Sequence, residues 1–229
     1  MTLEEFKQHN TIHFNNEKLL NQAFIHRSYI NENPRSGLEH NERLEFLGDA
    51  VLELVVTKFL YTKYPHHNEG DLTAYRSALV NAVTLGEVAD SLSFNDMLKL
   101  SKGEAKDVSR ARSSILADAY EAFVGALYLD QGFDVVETFI TKTLLGKTEG
   151  IIKKGLYKDA KSFVQEKSQE LYGATPAYRV LHEEGPDHDK IFRVGIYFND
   201  DLIEEGEGKS KQEAETVAAR KALEKKGWA

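Results

Sequence analysis

The chain has 229 residues, 41% hydrophobic and 29% charged, with a formal charge of −8 and no cysteine. That is an ordinary globular composition, long enough for one large or two modest domains, and it excludes disulfides, thiolate metal sites and a cysteine nucleophile. The start, Met1-Thr2-Leu3-Glu4-Glu5, has no secretory pattern, and no apolar run approaches the roughly 18 residues a membrane helix needs, so the expected location is cytoplasmic.

Residues 4–24 read as one or two short helices carrying Leu19, Leu20, Ala23 and Phe24. His26-Arg27-Ser28-Tyr29 follows, with His26 read as a structural histidine, and then a polar turn over 31–37. The stretch Asn41-Glu42-Arg43-Leu44-Glu45-Phe46-Leu47-Gly48-Asp49 runs into a periodic helix that Pro65 stops near Lys63. At about 100° per residue, Leu44, Leu47, Val51, Leu54 and Val55 fall on one stripe, with Glu42, Glu45 and Asp49 together beside it. Like charges on one helical ridge repel. They suit either a solvated acidic face or a cation site. Phe46 lies off the stripe, which suits a core residue or an interface anchor. His66-His67 sits on a breaker loop without partners for a metal.

Glu69-Gly70-Asp71 opens a helix over 72–80 that is expected to continue through 85–92. Glu69 reads equally as a first-turn acid or as an outer contact. Ser101-Lys102-Gly103-Glu104 is a turn, and 107–112 is a polar loop whose Arg110 and Arg112 could meet phosphate. The following helix ends near Asp130-Gln131-Gly132 and holds Asp118 and Glu121 among Ile, Leu, Ala, Phe and Val. Acids so placed are costly unless they are paired or coordinate a metal. Two helices each offering carboxylates could make an all-oxygen site for Mg²⁺ or Mn²⁺. A last helix over 135–145 closes an all-helical first domain, residues 1–146, and the glycines and lysines of 147–157 read as a linker.

The period then changes. Residues 159–172 are helical with Phe163, Val164 and Leu171 inward; 178–182, 191–198 and 202–206 alternate as strands. Turns are expected at 185–189 and 199–201, and a final helix over 212–226 turns Ala214, Val217, Ala218 and Leu223 inward. The second domain, 158–229, is therefore α-β-β-β-α. The chain divides into −5 before residue 158 and −3 after it, so contact with a polyanion must come from a local basic face. Lys209, Ser210 and Lys211 supply one at a helix start, where free N–H groups and the dipole favour phosphate.

These residues carry a resemblance. Asn41 to Asp49 resembles the signature stretch of bacterial ribonuclease III, and Ile115-Leu116-Ala117-Asp118 through Glu121 resembles that family's second acidic motif. His26-Arg27-Ser28-Tyr29, Glu69-Gly70-Asp71-Leu72-Thr73 and Ser101-Lys102-Gly103-Glu104 fall in the family's order, and the final 72 residues look like a double-stranded-RNA-binding domain. The resemblance spans nearly the whole chain. It implies a homodimeric endoribonuclease, dependent on Mg²⁺ with Mn²⁺ as a substitute, acting on double-stranded RNA without a small-molecule cofactor. The implied products carry 5′-phosphate and 3′-hydroxyl ends with a short 3′ overhang, from ribosomal RNA precursors and other structured transcripts. Carried over by position, Glu45, Asp118 and Glu121 are metal ligands, and Asp49 and Glu121 are the residues the chemistry most needs. Glu42 and Glu69 are outer contacts, and Phe46 is the dimer anchor. Gln165, Glu166, Gln169, His188, Lys209, Ser210 and Lys211 are RNA contacts. One departure is Gln212, where the family often has a second basic residue. Two other readings remain: a duplex-RNA-binding protein without catalysis, and a metal-dependent hydrolase of small phosphates, which leaves residues 158–229 without a use.

Overall fold

The structure is a computed structural model. It describes residues 1–106, 110–153, 157, 160–186 and 190–228, with Arg110 and Ala111 described by backbone alone. The chain forms two compact units, 1–154 and 155–229.

The first unit is helical. Its elements are α1 (Leu3–Asn10), α2 (Glu17–Ala23), α3 (Arg27–Glu32), α4 (Glu42–Lys63), α5 (Glu69–Leu79), α6 (Ala82–Ser91), α7 (Phe94–Met97), α8 (Arg110–Gln131), α9 (Phe133–Thr143) and α10 (Thr148–Lys153). Helix α1 begins at a capping box in which Thr2 and Glu5 satisfy each other's free N–H groups. Helix α8 runs through the middle and packs against α2, α4, α6, α7 and α9. Burial on several sides explains why its sequence is apolar almost all round. Around it Phe6, Phe24, Phe94 and Phe123 meet largely edge to face, at centroid separations of 4.9–6.1 Å. Tyr120 is fully buried and shares a 2.8 Å hydrogen bond with Thr143.

Several local expectations are corrected. The buried face of α4 is formed by Leu44, Gly48, Val51, Leu52, Val55, Val56 and Leu60, whereas Leu54 is 57% exposed. The stripe is rotated towards Gly48 and Leu52 because α8 approaches on the glycine side. The helix expected to run on past residue 80 is broken. Asn81 takes an extended ψ of 157°, its side chain accepts from the Thr84 N–H, and its amide donates back to Ala78 O. One asparagine thus ends α5 and caps α6. Residues 148–153, expected in a linker, form α10. Thr148 and Ile151 are buried, and Glu149 pairs with Lys63 at 2.9 Å, so this segment belongs to the first unit.

The second unit contains α11 (Ala160–Tyr172), β1 (Ala177–Glu184), β2 (Ile191–Phe198), β3 (Asp201–Gly208) and α12 (Lys211–Lys226). The strands form one antiparallel sheet in the order β1-β2-β3. A two-residue turn joins β2 to β3, with Asn199 at φ 55°. Val164, Ile196, Phe198, Ile203, Ala218, Ala219, Ala222 and Leu223 form the core between sheet and helices. Gly206 lets α12 lie against β3: a Cβ there would sit 2.2 Å from the Ala214 carbonyl oxygen. That closeness explains the alanines on the facing helix. Leu171, expected inward, is 55% exposed. Ser168 occupies the inner position instead, its hydroxyl donating to Ala174 O at 2.7 Å.

Candidate active site and RNA-binding elements

The acidic residues of the first unit meet where α4 crosses α8. Gly48 and Gly125 face each other across that crossing: a Cβ on Gly48 would lie 1.7 Å from the Glu121 carbonyl oxygen, and one on Gly125 would lie 2.2 Å from that of Leu44. Only two glycines allow backbones this close. The close approach brings Glu45 of α4 to Asp118 and Glu121 of α8, with one carboxylate oxygen from each within 4.8 Å of the others. All three are half-buried. Asp49, one turn beyond Glu45, is exposed at the rim and near enough for its charge to act on Glu121.

Crowded, partly desolvated carboxylates resist ionisation. Burial, then the charges of Asp118, Glu42 and Asp49, push Glu45 up to about 7. Burial, then Asp49, Asp118, Glu45 and Glu53, push Glu121 up to about 8. Burial also raises Asp118, with Glu42 adding to the rise and His26 opposing it. An all-oxygen set of this kind fits a hard divalent cation, whose charge relieves the repulsion that raises these groups. Glu53, one turn beyond Asp49, was not singled out from sequence; its i+4 spacing from Asp49 was the available signal.

The outer acids have different surroundings. Glu42 pairs with Arg27 Nη1 at 3.2 Å and lies 3.7 Å from His40 Nδ1. Asn41, 2% exposed, donates from its side chain to Ala23 O and from its backbone to Ile25 O. This buried amide holds the 23–27 segment against the start of α4, a role the signature stretch does not reveal until the chain is folded. His26 is structural as expected: its Nδ1 caps α3 at Ser28. Glu69 lies in the first turn of α5, but Asn68 supplies the cap. Glu69 instead lines an open cleft of about 500 Å³ with Thr57, Tyr61, Leu72 and Arg76. The His67 ring packs against Tyr64 and Tyr75. Phe46 is 83% exposed, and Leu54 and Tyr61 are exposed on the same side of α4.

In the second unit, Gln165, Glu166 and Gln169 are exposed on α11, and Gln169 donates to the Thr175 hydroxyl at 3.3 Å. Lys209, Ser210 and Lys211 are exposed at the start of α12. Ser210 is its N-cap, accepting from the Glu213 N–H at 3.1 Å. The Glu213 carboxylate accepts from the Lys209 N–H, so this helix start already holds an anion of its own. His188 lies outside the described residues, as does 107–109 of the expected phosphate loop; α8 begins at Arg110, and Arg112 Nε donates to Asn95. No helix among the described residues is long and apolar enough to cross a membrane.

Comparison with known proteins agrees with this organisation. A ribonuclease-III-like family pattern matches residues 16–148, and a double-stranded-RNA-binding motif matches 160–226. The chain is similar to Ribonuclease 3 of Bacillus velezensis, 45% identical over 97% of this chain and 89% of the relative. It is also similar to Ribonuclease 3 of Geobacillus thermodenitrificans, 47% identical over 96% of this chain and 89% of the relative. Among solved structures, the nuclease domain of ribonuclease III from Campylobacter jejuni superposes with a TM-score of 0.55 at 39% identity, covering 62% of this chain and 97% of that domain. With its helical unit carrying the acidic site and its second unit the RNA-binding motif, the chain belongs to the ribonuclease III family of endoribonucleases.

Proposed function

We propose that this protein is a Mg²⁺-dependent endoribonuclease that hydrolyses double-stranded RNA to 5′-phosphate and 3′-hydroxyl ends. The observation that carries this reading is the convergence of Glu45, Asp118 and Glu121 within 4.8 Å. These three would hold the cation, and Mn²⁺ offers the same hard-ion chemistry to oxygen ligands. A bound divalent ion supplies a water acidic enough to attack near neutral pH and stabilises the leaving 3′ oxygen. Glu45 and Glu121, raised to about 7 and about 8, must release their protons as the ion enters. Asp49, exposed at the rim, would accept a hydrogen bond from the attacking water.

The duplex is recognised by shape, across minor grooves and the phosphates between them. Gln165, Glu166 and Gln169 on α11 suit 2′-hydroxyls, as does His188. Lys209, Ser210 and Lys211 suit phosphate at a helix start. We assign duplex regions of structured transcripts, ribosomal RNA precursors among them, as substrates. Phe46, Leu54 and Tyr61 form an exposed apolar stripe that would be buried between two antiparallel copies of α4. A Campylobacter jejuni relative is described as having a region involved in dimer formation in its nuclease domain, which supports a homodimer.

The test is cleavage of a long RNA duplex by wild type and Glu121→Gln, with Mg²⁺ and with chelator, while duplex binding is followed in parallel. Metal-dependent cutting by wild type, and binding without cutting by the variant, supports the reading. Binding without cutting by both proteins under any divalent ion would leave a binding module.

A further inference from the structure

Arg27 stands at the edge of the carboxylate site without a part in the chemistry so far assigned. It opens α3, and its side chain is 64% exposed. Among the described residues it pairs with Glu42, through a single guanidinium nitrogen at 3.2 Å. The backbone beneath it is held firmly. Asn41 ties Ala23 and Ile25 to the start of α4, and Ile25 bridges to Lys99. The His26 N–H donates to Lys99 O, and the Ser28 hydroxyl accepts from the Ser101 N–H at 3.0 Å. Arg27 is therefore an anchored backbone carrying a movable cation.

The location matters because Glu42 is close enough for its charge to act on both Glu45 and Asp118. Glu42 also stands one turn before Glu45 on α4, so a guanidinium beside Glu42 lies next to the carboxylate site. An exposed ion pair is weak, at about 0–1 kcal/mol by general experience. A phosphate, by contrast, can take a guanidinium through two parallel charge-assisted hydrogen bonds. The exchange favours the phosphate once a duplex is held nearby.

We propose that Arg27 is a substrate contact: Glu42 holds its guanidinium in the free protein, and a backbone phosphate flanking the scissile bond takes it over when duplex RNA enters. This rests on the reading of Glu45, Asp118 and Glu121 as the cutting site. The phosphate contact depends on the charge of Arg27, and it leaves the carboxylates unaltered.

The experiment measures kcat/KM of the full chain on an RNA duplex across a salt series, for wild type, Arg27→Ala, Arg27→Lys and Glu121→Gln. Melting curves confirm that each variant is folded, as expected for changes at exposed or half-buried positions. Arg27→Ala should lower kcat/KM by roughly 5- to 30-fold at intermediate salt, the loss of one charge-assisted hydrogen-bonded contact. The slope of log kcat/KM against log salt should also become shallower by about one, because one fewer phosphate is neutralised. Arg27→Lys should restore the slope. A wild-type slope in Arg27→Ala overturns the proposal, as does a slope in Arg27→Lys no steeper than that of Arg27→Ala. A wild-type slope with a shifted half-saturating Mg²⁺ concentration would instead show that Arg27 only shields Glu42. Cutting by Glu121→Gln at the wild-type rate would overturn the cutting-site reading itself, whichever way Arg27 behaves.

Discussion

The separation of α4 and α8 can be tested with one added carbon. In Gly48→Ala the new Cβ would sit 1.7 Å from the Glu121 carbonyl oxygen, 2.6 Å from its carbon and 2.9 Å from the Gly125 nitrogen. Ordinary contact begins near 3.4 Å, so the helices must separate by roughly 1.7 Å at this point. All three atoms are backbone, so no side chain can rotate away. Overpacking of this kind costs about 1–3 kcal/mol, and the upper end applies here. For a unit of this size that lowers Tm by roughly 6–12 °C. The same displacement carries Glu45 away from Asp118 and Glu121, whereas metal coordination tolerates only about 0.2 Å of misplacement. Gly48→Ala should therefore raise the half-saturating Mg²⁺ concentration for cleavage at least tenfold while duplex binding through the second unit persists. Gly125→Ala, with its Cβ 2.2 Å from Leu44 O, should do the same to a smaller degree. The assays are thermal melting with and without Mg²⁺, a Mg²⁺ titration of cleavage, and duplex binding in chelator. A Gly48→Ala protein with unchanged Tm and unchanged Mg²⁺ dependence would refute the glycine crossing as the device that assembles the site.

Glu121 and Glu45 sit near 8 and 7 in the folded protein against 4.5 as ordinary glutamates. Raised folded-state values mean the folded chain binds these protons more tightly, so their contribution is full below about 4.5 and is lost as pH rises through 7 to 8. Metal-free protein should lose Tm over that window relative to Glu121→Gln, and the stabilisation by saturating Mg²⁺ should grow with pH. A Tm difference between wild type and Glu121→Gln that is flat from pH 5 to pH 8.5 would contradict the shift. Phe46→Asp should give monomers in sedimentation, since it replaces about 1.5–3 kcal/mol of apolar burial on each side with a charge; an intact dimer would remove Phe46 from the interface. Trp228, the single tryptophan, stacks on Phe198 at 5.7 Å with planes 10° apart. Its fluorescence should report unfolding of the second unit alone, unmoved by Mg²⁺ or by Gly48→Ala, whereas a Mg²⁺-dependent tryptophan transition would show that the two units unfold together.

Much of the helical unit was legible because its helices carry strong local signals. The span of α4 follows from its period and Pro65, and the end of α8 from Gly132, whereas α8 begins at Arg110, inside the stretch expected to be a polar loop. The strands were legible from alternation, and the start of α12 from Ser210. The errors came where a local pattern admits two answers. Residues 72–92 have helical period throughout, and only Asn81 in its folded geometry shows the break. Leu54 and Leu171 are apolar at helical spacing, yet their exposure depends on which side a neighbour approaches. Residues 148–153 carry glycine and lysine like a linker, but Thr148 and Ile151 find a buried surface on the first unit.

The sequence by itself determined which residues could be chemical: four acids on two helices, an aromatic off their apolar stripe, and a basic helix start. Residue type and helical period are local properties, readable one segment at a time. Only the tertiary structure decided that Glu45, Asp118 and Glu121 share a space under 5 Å across while Asp49 stays at the rim. It alone placed Arg27 on Glu42 and Asn41 beneath them. The physical reason is that side chains converge through the distance and register between helices. Here that distance is set by two glycines 77 positions apart in the chain, Gly48 and Gly125, whose meeting no local pattern contains.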